Sequence, residues 1–204
     1  MRIQAVIFDL DGTITRPYFD FDAIREEIGI DGDNRPVLEA MREMSTSQKR
    51  RAEQILHRHE QDAVRQSTLN PGARETIDGL RQRDIGVAVL TRNRKSNAVA
   101  VARKHGLHFD FIVGREEGPV KPDAFGVLHI CNRLGIEPAE TLLVGDFLFD
   151  LLCAKTAGAV AVLLKNANLS AAKAKNTAEF AEHADFVIEN ISRILQIIDN
   201  TQDR

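Results

Sequence analysis

The chain has 204 residues, 43% of them hydrophobic and 28% charged, with a formal net charge of −3 at pH 7. That size and composition suit one folded domain carrying a modest insertion, and the slight acidity gives no electrostatic footprint for nucleic acid. No apolar run is long enough to span a bilayer, which argues against a membrane partner, and two cysteines do not make a disulfide framework.

Residues 3–8 form an apolar, β-prone run that leads straight into Asp9-Leu10-Asp11-Gly12-Thr13. No leader sequence precedes this strand, so the expected compartment is the cytoplasm. Spacing of i and i+2 puts both carboxylates on one side of an extended chain, and Gly12 permits a sharp exit. Two like charges at the mouth of a buried strand are costly unless a cation lies between them or one holds a proton. Residues 16–70 contain no convincing strand. Helical periodicity covers 21–28, 37–44 and 48–66, and Asn70-Pro71-Gly72 punctuates the return to another pattern.

From there strand-like and helix-like segments alternate. Strands are expected at 85–90, 109–113, 141–144, 159–164 and 186–188. Helices are expected at 73–83, 95–105, 124–134, 149–157, 170–183 and 191–198. Continuous apolar runs of this length suit strands covered on both faces. The alternation predicts an α/β fold, a doubly wound Rossmann-like parallel sheet, with a small all-helical cap inserted after the first strand. Residues 1–15 and 71–204 then make the core domain, and 16–70 the cap. Cys131 and Cys153 fall in apolar helical contexts, as buried free thiols in a reducing compartment would.

Further chemistry-bearing residues fall at strand ends: Thr91, Lys121 before Pro122, and Gly145-Asp146 with Asp150 four residues on. In this fold all of them reach one crevice with Asp9 and Asp11. Four carboxylates, a lysine and a hydroxyl suit phosphoryl transfer. One carboxylate attacks phosphorus, a hard cation such as Mg²⁺ screens the anionic ester from it, and lysine and threonine hold phosphoryl oxygens. A second carboxylate, crowded into holding its proton, protonates the leaving oxygen and later activates water.

The ordered set Asp9-x-Asp11-Gly12-Thr13, Thr91, Lys121-Pro122 and Gly145-Asp146-x-x-x-Asp150 resembles the four motifs of the haloacid dehalogenase superfamily, over residues 3–165. The resemblance, to its C1-capped, phosphoglycolate phosphatase-like subgroup, implies Asp9 as nucleophile and Asp11 as acid/base, with Thr91 and Lys121 holding the phosphoryl group. It implies that Asp9, the backbone carbonyl of Asp11, Asp146 and Asp150 serve Mg²⁺. The dehalogenases that name the family lack the second aspartate, so its presence points to a phosphate ester. Arg92 stands where similar phosphatases often carry Asn, and Asn93 follows it. A guanidinium recognises carboxylate and phosphate, so Arg92 and Asn93 join Gly12 and Thr13 as candidate substrate contacts. Arg16 and Tyr18 are weaker candidates of the same kind.

The resulting expectation is a Mg²⁺-dependent phosphomonoester hydrolase acting on a small phosphorylated metabolite, as a monomer or homodimer. The alternatives are a sugar phosphomutase using the same core, and a non-catalytic binding or signalling module. A receiver-type phosphoacceptor module places its acceptor aspartate after a later strand, which is the wrong order here. His57-Arg58-His59-Glu60 looks metal-like, but i and i+2 on a helix do not face each other, so a solvated face is expected. Lys49 is expected to be solvated, and Met41 and Met44 to pack in the insertion's own core.

Overall fold

The fold was determined as a computed structural model that describes residues 2–30, 32, 35–165 and 179–202. The chain divides into two compact units, one of Met1–Pro17 with Thr68–Arg204 and one of Tyr18–Ser67. The sequence places these boundaries at 15/16 and 70/71. The difference arises because Arg16 and Asn70 bond within the larger unit, Arg16 N–H to Thr68 O and Asn70 N–H to Ile14 O, at 2.9 Å each.

In the larger unit, strands β1 (Ala5–Phe8), β2 (Gly86–Leu90), β3 (Phe111–Val113), β4 (Thr141–Gly145), β5 (Val160–Leu164) and β6 (Phe186–Ile188) form one sheet in the order β3-β2-β1-β4-β5-β6. Every pairing is parallel, with Ile7 opposite Ala88 on one side and Leu143 on the other. Parallel strands need crossovers, and the sequence supplies them as helices. These are α4 (Ala73–Arg81), α5 (Lys95–Lys104), α6 (Phe125–Leu134) and α7 (Leu148–Ala157), numbered after the three helices of the smaller unit, and α8 (Arg193–Gln202) follows the last strand. All four residues of β1 are buried, as expected for a central strand covered on both faces. Ile7, Ala88, Leu90 and Leu143 pack on one face with Val127 and Ile130 of α6 and Leu151 and Ala154 of α7. Cys131 and Cys153 belong to the same cluster as free, buried thiols.

Strand order reverses at β1, whose neighbours are β2 and β4. Open parallel sheets bind ligands in the crevice outside the carboxyl ends of such strands. Among the described residues, no helix is long and apolar enough to cross a membrane.

The smaller unit contains α1 (Phe21–Ile28), α2 (Val37–Ala40) continuing as a 3₁₀ turn over Met41–Glu43, and α3 (Thr46–Gln66). Asp20 caps α1 by accepting the Asp22 and Ala23 N–H groups, and Ser45 with Gln48 forms a capping box on α3. Ile24, Val37, Met41, Ala52 and Leu56 make its core, with Met44 packed against it. Lys49 is exposed. In the segment His57–Glu60, His57 and Arg58 are exposed as expected of a solvated face, and the departure is at Glu60. Arg58 and His59 both engage Glu27, the latter at 2.8 Å, and Glu60 is buried.

Two sequence expectations shift. The third strand begins at Phe111 rather than residue 109, because the Asp110 carboxylate accepts the Val87 N–H at 2.8 Å in place of a ladder carbonyl. Of the helix expected over 170–183, residues 170–178 lie outside the described residues, and Ala181–His183 is a 3₁₀ turn.

Candidate active site

Strand β1 delivers Asp9 to the switch point, where its N–H continues the ladder to Val144 O at 2.8 Å. The chain then turns tightly about Leu10, whose carbonyl accepts N–H bonds from Ile14 and Thr15 at 3.0 Å each. Gly12 sits at φ +94°, and a Cβ there would lie 2.2 Å from Asp146 Oδ2. Glycine is therefore required both for the turn and for the close approach of Asp146. Asn70 clamps this loop from the far side of the insertion, its Nδ2 donating to the carbonyls of Gly12 (3.1 Å) and Thr13 (2.8 Å). The sequence reading saw Asn70 only as turn punctuation.

Lys121 is 3% exposed, and its Nζ donates to Asp9 Oδ1 and Asp150 Oδ1 at 2.5 Å each. Asp146 follows β4, and Asp150 lies in the first turn of α7, where its Oδ2 accepts the Phe147 N–H at 3.1 Å. Gly145 is matched to this arrangement, since a Cβ there would meet the Asp150 carboxyl carbon at 2.1 Å. Carboxylate oxygens of Asp9, Asp146 and Asp150 all lie within 4.8 Å of one another.

The electrostatics follow from this crowding. Burial pushes the Asp9 carboxyl up to about 7, against the pull of Lys121 and with Asp150 and Asp11 adding to the rise. Burial, then Asp9 and Asp150, holds Asp146 well above the ordinary carboxylate range. Burial alone would lower the Lys121 ammonium, but Asp150 and Asp9 outweigh it and hold it raised. One ammonium thus faces three carboxylates. An all-oxygen donor set with surplus negative charge fits a hard divalent cation.

Thr91 ends β2. Its N–H donates to Val113 O, and its Oγ1 accepts the Asn93 N–H, both at 3.0 Å. The hydroxyl proton is left to donate elsewhere. Asp11 is joined to this segment through Asn93, whose Nδ2 donates to Asp11 Oδ2 at 3.1 Å. The structure thus brings Asp9, Lys121, Asp146 and Asp150 together directly and ties Asp11 to the Thr91 segment.

The expected substrate contacts fare differently. The Arg92 guanidinium donates to the Lys121 carbonyl and lies 4.8 Å from the Phe149 ring centroid, so it braces the lysine loop. Asn93 points at Asp11, which departs from the expected substrate contact. Thr13 is fully buried, and its hydroxyl has no hydrogen-bond partner among the described residues. Gly12 holds the turn against Asp146. Within their own unit Tyr18 and Phe19 meet edge to face, and Tyr18 is 45% exposed.

An uncharacterized hydrolase of Saccharomyces cerevisiae is 30% identical over 205 residues, covering 98% of this chain and 92% of that protein. A phosphoglycolate phosphatase of Chromobacterium violaceum is 30% identical over 190 residues, covering 79% and 84%. A β-phosphoglucomutase structure from Clostridium difficile, at 19% identity and a TM-score of 0.75 over 99% and 100% of the two chains, shares the fold. A model of the haloacid dehalogenase-like hydrolases matches residues 3–158, and the chain is an enzyme that belongs to that family.

Proposed function

We propose that the chain is a Mg²⁺-dependent phosphomonoester hydrolase of small phosphorylated metabolites, working through an aspartyl-phosphate on Asp9. The observation that carries this reading is the Lys121 ammonium held between Asp9 and Asp150 at the sheet's switch point, with Asp146 alongside. Relatives that are phosphatases support it, and the phosphoglycolate phosphatase of Chromobacterium violaceum supports a small anionic ester as substrate.

Asp9, Asp146 and Asp150 would hold Mg²⁺, with the Asp11 carbonyl as a further oxygen ligand. When bound, the ion supplies positive charge against the carboxylates and the phosphoryl group. The chain's own residues do the rest. Asp9 attacks phosphorus, and the ester P–O bond breaks as its carboxylate oxygen forms the new one. Asp11 gives its proton to the departing alkoxide and then takes one from the water that hydrolyses the acyl phosphate. Lys121 offsets charge on Asp9 and the transferring group, and Thr91 donates its free hydroxyl proton to a phosphoryl oxygen. Arg92 keeps Lys121 in place from behind. The helical unit is read as a C1-type cap insertion, and a cytoplasmic location is the matching expectation for a chain with two buried free thiols.

The test is inorganic phosphate release from a panel of alkyl and aryl phosphates, with Mg²⁺ or with chelator, alongside assay for sugar-phosphate isomer formation. Expected is phosphate release that needs the metal and is absent in Asp9→Asn. Isomer formation without net phosphate release would replace the hydrolase with a mutase.

A further inference from the structure

The bend after β2 carries an organised polar chain that no catalytic role above uses. Asn97, 1% exposed in the first turn of α5, donates Nδ2–H to Asn93 Oδ1 at 2.8 Å. The same Oδ1 accepts the Arg94 N–H at 2.7 Å. A backbone N–H can only donate, so that atom of Asn93 is its carbonyl oxygen, and the amide nitrogen must face Asp11. Asn93 is 6% exposed, and its own N–H holds Thr91 Oγ1. One residue, its side chain locked from two sides, therefore holds the Thr91 hydroxyl through its backbone N–H and the Asp11 carboxylate through its amide.

We propose that Asn93, held by Asn97, is a positioning residue for Asp11: its amide donor on Asp11 Oδ2 fixes the carboxyl rotamer and with it the direction of proton delivery to the leaving oxygen. A fixed rotamer also removes the entropy of finding the productive geometry. This inference rests on the hydrolase reading of the site.

The consequence is specific to leaving-group chemistry. An alkoxide needs its proton as the P–O bond breaks, whereas a nitrophenolate departs without one. The measurement is kcat/KM, which reports ester cleavage without the later hydrolysis of the intermediate, for an alkyl phosphate and for p-nitrophenyl phosphate. Variants are Asn93→Ala, Asn97→Ala and Asn93→Asp. The last keeps the volume and the Oδ1 acceptor while replacing the donor that faces Asp11, so it is expected to fold; circular dichroism and the melting temperature confirm folding for each.

Expected in Asn93→Asp and Asn93→Ala is a fall of about 10- to 100-fold on the alkyl ester, part of what general acid catalysis commonly contributes, with a loss at least tenfold smaller on the aryl ester. Asn97→Ala should shift the ratio the same way by less. Equal losses on the two esters, or an unchanged ratio, in folded Asn93→Asp would overturn the positioning role while leaving the hydrolase standing. A wild-type protein inactive on both esters would overturn the hydrolase reading and this inference with it.

Discussion

Replacing Lys121 with methionine would leave Asp9 and Asp150 enclosed without the ammonium that each now bonds at 2.5 Å. Methionine preserves the length of the stem, so the change is chiefly one of charge. Turnover of any accepted ester should fall by about 100- to 1,000-fold, the scale of losing one preorganised charge stabiliser. Steady-state kinetics at saturating Mg²⁺ would check this, and activity within tenfold of wild type would remove Lys121 from the mechanism. At this scale the sequence was partly legible. Asp9, Lys121, Asp146 and Asp150 each follow a strand, so fold topology alone gathers them at one crevice. Arg92 and Asn93 were not legible in detail. They are neighbours in a bend, and hydrogen bonding sends one to the Lys121 carbonyl and the other to Asp11. Asn70 was missed because its partners Gly12 and Thr13 lie across the whole insertion, and nothing local marks that distance.

Among the elements, β4 is buried along its whole length. Leu143 is fully buried in the middle of the strand, opposite Ile7 and Ala161. Leu143→Ala should cost about 2–5 kcal/mol, combining lost transfer energy and the cavity left behind. Leu128 on α6 is 46% exposed, and its alanine variant should fall within about 0.5 kcal/mol of wild type. Urea unfolding of the two variants would check the contrast, and equal costs would contradict the packing described here. Strands were legible because burial on both faces leaves continuous apolar runs, and helices because their apolar residues recur at helical spacing. The ends moved where side chains stand in for backbone, as Asp110 does for the Val87 N–H. Glu60 is the clearest miss, a carboxylate buried on a helix whose local sequence reads as charged surface.

For the molecule as a whole, the carboxylate cluster should tie stability to pH and metal. The folded Asp9 carboxyl is raised from an ordinary 3.8 to about 7, and Asp146 is raised too. Acids raised on folding bind more protons in the native than in the unfolded state, so stability falls as pH climbs between these values. Lys121 is raised in the folded state, so its contribution persists through that window and is lost only at much higher pH. Without metal, the melting temperature should therefore decline from about pH 4 to pH 7, as the linkage slope requires. A cation that binds the folded state alone adds stability by mass action, and protons compete with it. Mg²⁺ should then raise the melting temperature more at pH 8 than at pH 5. Thermal melts in chelator and in Mg²⁺ would check this, and an identical Mg²⁺ effect at both pH values would contradict metal binding by these carboxylates.

Covalent capture of the intermediate is the most direct test of the reading as a whole. Enzyme mixed with a turned-over ester and Mg²⁺, quenched in acid within one turnover, is digested and mapped by mass spectrometry. The expected result is one phosphoryl group on the peptide containing Asp9, absent in Asp9→Asn and removed by hydroxylamine, as an acyl phosphate must be. Turnover of the ester with the label on another residue, or with no covalent species despite a burst of released alcohol, would contradict Asp9 as the nucleophile.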